Sequence, residues 1–208
     1  MNPRLRTIIA DAKAANMPAE NIKRAIRRGT GEEPGVSYEE ASYEGYGPGG
    51  AAVIIEVLTD NKNRTAGEIR HLLEKWGGNL AAPNAVAWMF SKKGHLVVEK
   101  AKAPGVDEEK LMTAVLEAGA DDLQDEGDSW EVFSAPETFS AVQDAVKALG
   151  IEPASAKVEL IPQNTVKLEG KVAQQMLKLM EVLDDLDDVQ HVWSNFDISE
   201  QEIEASLA

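Results

Sequence analysis

The chain opens with two stretches in which apolar residues recur every three or four positions, the spacing of an amphipathic helix. The second stretch begins at Pro18 and ends at Gly29, and Pro and Gly are favoured at these two ends of a helix. Two helices of this size bury too little apolar surface to stand alone. The inward positions of the two predicted helices are Leu5, Ile8, Ile9 and Ala12, then Ile22, Ala25 and Ile26.

Beyond residue 42 the pattern alternates between strands and helices. Residues 53–58 are apolar on nearly every position, which predicts a central strand buried on both faces. A helix capped by Asn63 follows, and then two short strands, 86–90 and 95–99, which we expect to form a hairpin that turns at Lys92-Lys93-Gly94. The block from 107 to 160 predicts helix, strand, strand, helix, strand. A last helix at 170–183 and a last strand at 189–196 complete the order.

These elements predict an α+β protein with a small N-terminal helical domain followed by two α/β, ferredoxin-like domains, one inserted into the other. The first β-α-β-β group lacks the α-β pair that would complete the ferredoxin-like pattern, and the final helix and strand supply it. We therefore expect a helical basic segment and linker at 1–41, a split domain at 42–103 plus 163–208, and an inserted domain at 104–162. This arrangement requires the last strand to pair beside residues 53–58.

A glycine-rich string, Tyr43-Glu44-Gly45-Tyr46-Gly47-Pro48-Gly49-Gly50, precedes the strand at 53–58. Its glycines fit G-x-G-x-x-G, but that motif binds dinucleotides only after a strand and before a helix. No Lys-Ser/Thr pair follows, so the string is not a P-loop. It is either a tight turn that feeds a buried strand or an exposed loop that offers aromatic faces to a partner. The candidate partner-contact residues are Tyr43, Gly45, Tyr46, Gly47, Pro48, Gly49 and Gly50.

Charge is distributed very unevenly along the chain, whose net charge is −15. Residues 1–28 carry seven basic and two acidic side chains, whereas the rest carries fourteen basic and thirty-four acidic ones, a net charge of −20. An acidic body repels a phosphate backbone, so a nucleic acid would meet the N-terminal part. The basic face could equally be a solvated one that complements the helix C-terminus. The candidate nucleic-acid-binding residues are Arg4, Arg6, Lys23, Arg24, Arg27 and Arg28, joined by Lys62 and Arg64 from the polar loop after the central strand.

Catalytic, metal-binding and membrane signals are absent from the sequence. There is no cysteine, the three histidines are far apart, and no apolar run is long enough to cross a bilayer. The run Asp184-Asp185-Leu186-Asp187-Asp188 could hold Mg²⁺ and a diphosphate, but at a helix end a solvated turn is the favoured interpretation. We therefore expect a cytoplasmic protein that is not an enzyme and that has no cofactor, no metal and no membrane partner.

Several strings spread over essentially the whole chain are informative together. They are Asn2-Pro3-Arg4-Leu5-Arg6, Asn16-Met17-Pro18, the glycine-rich string, Thr59-Asp60-Asn61-Lys62-Asn63-Arg64-Thr65, Gly77-Gly78-Asn79-Leu80 and Ser194-Asn195-Phe196-Asp197. These strings resemble the YebC/PmpR family. The resemblance implies one helical and two α/β domains and a probable transcriptional regulator that binds DNA in the bacterial cytoplasm. It also implies an alternative, because a mitochondrial relative is a translational activator and bacterial members have been described as ribosome-associated.

Members of that family usually carry a further Lys- and Arg-rich segment ahead of the first of these strings. This chain starts at the string, so the given sequence begins late, has been shortened, or belongs to a version without the segment, and part of the expected positive charge is missing from it. We expect DNA to be the partner, with the ribosome and its RNA as the alternative and a protein-interaction module as a third possibility. The sequence indicates no target site and no oligomeric state.

Overall fold

The alternation of helices and strands predicted beyond residue 42 forms two four-stranded antiparallel sheets and one short two-stranded parallel sheet, residues 166–167 with 196–197, and the α+β class is confirmed. The computed structural model describes residues 5, 8–9, 12–13, 15–30, 37–103, 105–199 and 202–203. Its helices are α1 Ala19–Gly29, α2 Lys62–Lys75, α3 Glu108–Glu117, α4 Phe139–Ala148 and α5 Gly170–Asp184. Its strands are β1 Glu39–Tyr46, β2 Ala52–Thr59, β3 Asn79–Leu80, β4 Phe90–Glu99, β5 Ala120–Asp125, β6 Ser129–Ser134, β7 Ser155–Pro162, β8 Val166–Lys167, β9 Val189–Ser194 and β10 Phe196–Asp197.

The first sheet has the order β3-β1-β2-β9, and β2 lies in its interior. Alternate β2 side chains, including Val53, Ile55 and Val57, pack against α2 and α5 in a core that also contains Leu73 and Met176. The last long strand, β9, pairs antiparallel with β2. This is the pairing that the expected split domain requires.

The second sheet has the order β5-β6-β4-β7, with every neighbouring pair antiparallel. Helices α3 and α4 cover one of its faces through Leu111, Val115, Val142 and Val146. Along the chain these elements read β-α-β-β-α-β, so the ferredoxin-like pattern falls on residues 90–162.

The predicted hairpin at residues 86–99 is wrong, because β4 runs without a turn from Phe90 to Glu99. The glycine that suggested a turn, Gly94, is buried in the middle of this strand and pairs with Ser134 and Val158. A Cβ at Gly94 would overlap with the Phe139 ring of α4, so glycine is needed for the close approach of a helix to the sheet. The strand β4 therefore belongs to the second sheet, although the expected boundary at residue 103 placed it in the first.

The predicted order of the first sheet is also corrected, because β1 was assigned partly to a linker and partly to a loop. Strand β1 pairs with β2 over its whole length, from Glu39 opposite Thr59 to Tyr46 opposite Ala52. The elements of the first sheet therefore follow the order β-β-α-β-α-β. We propose that the chain divides into a unit of residues 37–89 plus 163–199 and a unit of residues 90–162 inserted into it.

The two units meet on the face of β2 opposite its helices. Ala52 and Ile54 of β2 pack there with Val86 and Phe90, and Leu160 of β7 lies against the same cluster. The sheet of one unit thus buries apolar surface against the strands of the other. This contact explains why β2 is apolar on both faces, as its sequence indicated.

Candidate nucleic-acid interface

Helix α1 presents the basic face that the sequence predicted. Lys23, Arg24, Arg27 and Arg28 are all exposed, whereas Ile22 is buried and Ile26 half-buried on the other side of the helix. Arg4 and Arg6, from the same expected surface, lie outside the described residues, as does most of the first predicted helix.

Two cations of α1 are paired with residues of their own helix. The Lys23 ammonium lies 3.0 Å from a Glu20 carboxylate oxygen, and the Arg24 guanidinium donates to the Asn21 side-chain oxygen at 2.8 Å. Both contacts are exposed, and exposed pairs of this kind contribute little stability. A phosphate could therefore replace these partners at small cost.

The two candidate cations beyond α1, Lys62 and Arg64, are held differently. Lys62, at the start of α2, forms an ion pair with Glu39 of β1. Arg64 contacts two acidic residues, Asp60 at 3.0 Å and Asp188 at 2.7 Å. Both cations therefore bridge elements of the first unit, and a nucleic acid would have to compete with carboxylates already in place.

Asp188 is the centre of a polar network that joins α2 to the segment before β9. One of its carboxylate oxygens accepts hydrogen bonds from the Thr59 hydroxyl at 3.0 Å, the Thr65 hydroxyl at 2.6 Å and the Arg64 guanidinium at 2.7 Å. Burial alone would raise the pKa of the Asp188 carboxyl, but these three hydrogen bonds hold that pKa below its ordinary value. Asp188, the last residue of the acidic run 184–188, therefore has a structural role.

The loop before α2 is shaped by the same residues. The Asn61 side chain, and not the predicted Asn63, caps α2 by accepting from the Arg64 backbone N–H at 3.1 Å. The Thr59 hydroxyl in turn accepts from the Asn61 backbone N–H at 2.9 Å. The polar string at residues 59–65 is therefore an internal network in this fold.

The expected exposure of the glycine-rich string is wrong for its central part, because Gly45, Gly47 and Pro48 are buried. A Cβ at Gly45 would lie 2.7 Å from the Asn79 carbonyl oxygen of β3, and one at Gly47 would lie 2.7 Å from the Met176 sulfur of α5. Gly45 lets β3 approach β1 closely and Gly47 lets α5 approach the turn that follows β1, which agrees with the tight-turn interpretation.

Gly49 and Gly50 are the exposed members of the string. Gly49 follows Pro48 in a short turn and has a φ of +72°, which favours glycine. The two tyrosines are half-buried: the Tyr43 hydroxyl donates to the Lys62 carbonyl at 3.0 Å, and the Tyr46 hydroxyl lies 3.5 Å from the Ala85 carbonyl. Among the candidate partner-contact residues of the glycine-rich string, Gly49 and Gly50 are therefore the exposed ones.

A buried carboxylate that the sequence analysis did not single out shapes the segment before β4. Glu44 of β1 is 9% exposed, and its two carboxylate oxygens accept from the backbone N–H groups of Asn84, Val86 and Ala87 at 2.7 to 2.9 Å. Burial would raise the pKa of Glu44, but its backbone hydrogen bonds keep that pKa below its ordinary value. The signal in the sequence for this role was that Glu44 is the single charged residue in the stretch 41–46.

The second unit contains a cluster of charged groups around His95 that ties three strands together. The two ring nitrogens of His95 lie 2.6 Å from Glu159 of β7 and 3.1 Å from Glu131 of β6, and its ring stacks on Phe133 at 4.8 Å. The two carboxylates contact opposite sides of one ring, so they do not converge on a common point. Among the residues that the structure describes, no group of His, Asp or Glu is arranged to hold a metal ion.

The described helices include none that is long and apolar enough to span a bilayer.

Comparison with family models matches nearly all of the chain. Residues 1–32 match the model described as "TACO1/YebC protein N-terminal domain", and residues 38–196 match "TACO1/YebC second and third domain". The boundary between these two matches falls in the segment between α1 and β1.

Individual relatives are similar over almost the same span. A "Probable transcriptional regulatory protein" of Acidobacterium capsulatum is 59% identical over 97% of this chain and 80% of its own length. A protein of the same description from Koribacter versatilis is 56% identical over 98% of this chain and 81% of its own length. Among solved structures, a conserved hypothetical protein of Aquifex aeolicus, Aq1575, superposes with a TM-score of 0.79 at 44% identity, over 96% of this chain and 81% of that one.

Proposed function

Because the chain belongs to the TACO1/YebC family, we propose that it is a cytoplasmic transcriptional regulatory protein that binds DNA through the exposed basic face of α1. Its relatives bear the name of probable transcriptional regulatory proteins. We propose a binding role and no catalytic one. The partner is a polyanion, and DNA is the form of it that the relatives' description favours.

The observation that carries this proposal is the contrast in charge between α1 and the rest of the chain. The exposed Lys23, Arg24, Arg27 and Arg28 lie within a segment of net positive charge, and the remaining residues carry −20. A duplex would therefore be attracted to one end of the molecule and repelled by the other. Phosphate contacts of this kind position a protein on DNA and make its affinity depend strongly on salt.

The proposal is tested by measuring duplex binding of the chain by fluorescence anisotropy at moderate salt. We expect the double variant Arg24→Ala/Arg27→Ala to bind at least roughly tenfold more weakly, because two phosphate contacts are lost. The matched control is Lys110→Ala/Lys147→Ala, which removes the same charge from exposed positions of the second unit. Equal affinity of the two double variants would contradict the proposal.

A second candidate function is that of a ribosome-associated translation factor that binds ribosomal RNA. The strongly acidic body favours it, because a long naked duplex would pass close to that charge, whereas a structured RNA can be contacted locally. Sedimentation with ribosomes separates the two candidates. Ribosome association that the α1 variant loses, without measurable duplex binding, would favour this second function over the first.

A further inference from the structure

The segment before and within β4 is uncharged or basic, although the chain beyond residue 28 is strongly acidic as a whole. Residues 75–98 contain Lys75, Lys92 and Lys93 but neither Asp nor Glu, although the whole chain has 36 acidic residues. Trp88 lies near the middle of this segment and is 65% exposed, more than any other described large apolar residue. The largest side-chain type in the protein is therefore exposed within a stretch of sequence that carries no acidic side chain.

Trp88 is exposed although its neighbours in the chain are not. Val86 is fully buried and Phe90 is 7% exposed, and both belong to the cluster between the two units. The segment is thus anchored on either side of Trp88 by buried residues. The packing of this segment therefore does not explain why position 88 is a tryptophan.

The loop that carries Trp88 is held in one conformation by the Glu44 carboxylate, which accepts three backbone N–H groups just before it. Trp88 lies in a single 3₁₀ turn, Ala87–Met89, and its indole N–H donates to the Ala85 carbonyl at 3.0 Å. The Met89 carbonyl in turn accepts from the Gln163 backbone N–H at 2.8 Å. The ring is therefore oriented before any partner arrives, so little conformational entropy would be lost on contact.

We propose that Trp88 is a stacking platform for an unpaired base of a single-stranded nucleic acid. The inference rests on the proposed function, since it assumes a nucleic-acid partner, and it adds a site away from α1. An aromatic face accepts any base, and single-strand binding combines such faces with nearby positive charge. Lys92, two residues into β4, is exposed and supplies a cation close in sequence, whereas Lys93 is paired with Asp121 at 3.3 Å.

Charge complementarity favours a nucleic acid over a protein as the occupant. The buried Glu44 charge is compensated by the backbone groups that it binds, so it adds no acidic surface beside the ring. A protein pocket could bind the Trp88 ring without using the lysine nearby. A single strand gains from both the aromatic ring and the cation.

The experiment uses the full chain and short single-stranded oligonucleotides of thymidine or uridine, followed by fluorescence anisotropy and by quenching of tryptophan emission. We expect Trp88→Ala to weaken binding by about 5- to 150-fold, the range for loss of one stacked base, and Trp88→Phe to retain part of the affinity. Leu116→Ala is the matched control, because Leu116 is an apolar residue 48% exposed on the second unit. An abasic oligonucleotide of equal length separates stacking from attraction to phosphate.

The inference holds if Trp88→Ala weakens binding of the normal oligonucleotide, leaves binding of the abasic one unchanged, and Leu116→Ala weakens neither. It is overturned if Trp88→Ala binds the normal oligonucleotide as tightly as the unaltered chain. If duplex binding then still depends on α1, the proposed function stands. If the unaltered chain binds no nucleic acid at all, the proposed function and the role of Trp88 both fail. Binding of a peptide or protein, but of no oligonucleotide, would also overturn it.

Discussion

The cations of α1 and the cations at the start of α2 are alike in sequence and different in structure. Arg24 is paired within its own helix at an exposed position, whereas Arg64 joins α2 to Asp188, which is distant in the chain. The Arg24 contact can be exchanged for a phosphate without disturbing the fold. The Arg64 contact cannot, because it belongs to the network that fixes α2 against β9.

This difference separates a cation that is paired within its own helix from a cation that joins distant elements of the fold. Both sets were candidates from the sequence because basic side chains near a polar loop and on a helix face look equivalent there. The structure shows carboxylates from β1 and from the segment before β9 already beside Lys62 and Arg64. We therefore expect α1 variants to change binding, and variants at the start of α2 to change stability.

The largest expected effect on stability follows from removing the acceptor at the centre of the network. Asp188→Ala leaves the Thr59 and Thr65 hydroxyls and the Arg64 guanidinium without their shared partner. Loss of a partner by buried donors costs about 1–3 kcal/mol, and we expect a decrease of that size in the free energy of unfolding. Urea unfolding measures it. Asp187→Ala, which removes an exposed neighbour, should change the free energy by less than about 0.5 kcal/mol.

The same network should make the stability of the chain depend on acid. The pKa of Asp188 is lower in the folded chain than its ordinary value, so its contribution is complete above that value and is lost as the pH falls through the folded pKa. We expect Asp188→Ala to lose less stability than the unaltered chain between about pH 5 and pH 2. Parallel curves of unfolding free energy against pH for the two proteins would contradict this.

A smaller effect is expected from Arg64→Ala. The variant removes a half-exposed guanidinium but leaves Asp188 its two threonine donors, so the midpoint of urea unfolding should fall by less than in Asp188→Ala. Duplex affinity should stay within about twofold of the unaltered chain, a change below about 0.5 kcal/mol. An unchanged midpoint together with a large loss of affinity would place Arg64 among the binding residues and break the comparison.

The fold could be predicted from the sequence as a class, and the two errors in its topology have identifiable causes. Gly94 resembles a turn residue because the sequence does not show that Phe139 packs over it. Strand β1 was missed because Glu, Ala, Ser and Gly are poor strand formers, and pairing with β2 overrides that preference. The prediction placed β4 in the first unit as two strands and missed β1. The remaining order of elements therefore still resembled one split domain.

The site was predictable only where exposure follows from helical periodicity. In α1 the spacing of Ile22 and Ile26 placed the basic residues outward, as observed. The partners of Glu44 and Asp188 are 40 or more residues away in the chain, and no local pattern indicates such contacts. The same is true of Trp88, whose exposure is decided by the loop that Glu44 holds.

The central claim is that the cations of α1, and not those at the start of α2, meet the phosphates. The dependence of duplex affinity on salt tests it most directly, since the slope of log K against log salt reports the number of phosphates neutralised. For Arg24→Ala/Arg27→Ala we predict a slope smaller in magnitude by about 2, and for Lys62→Ala/Arg64→Ala an unchanged slope. A slope that falls for the second pair and stays constant for the first would contradict the account.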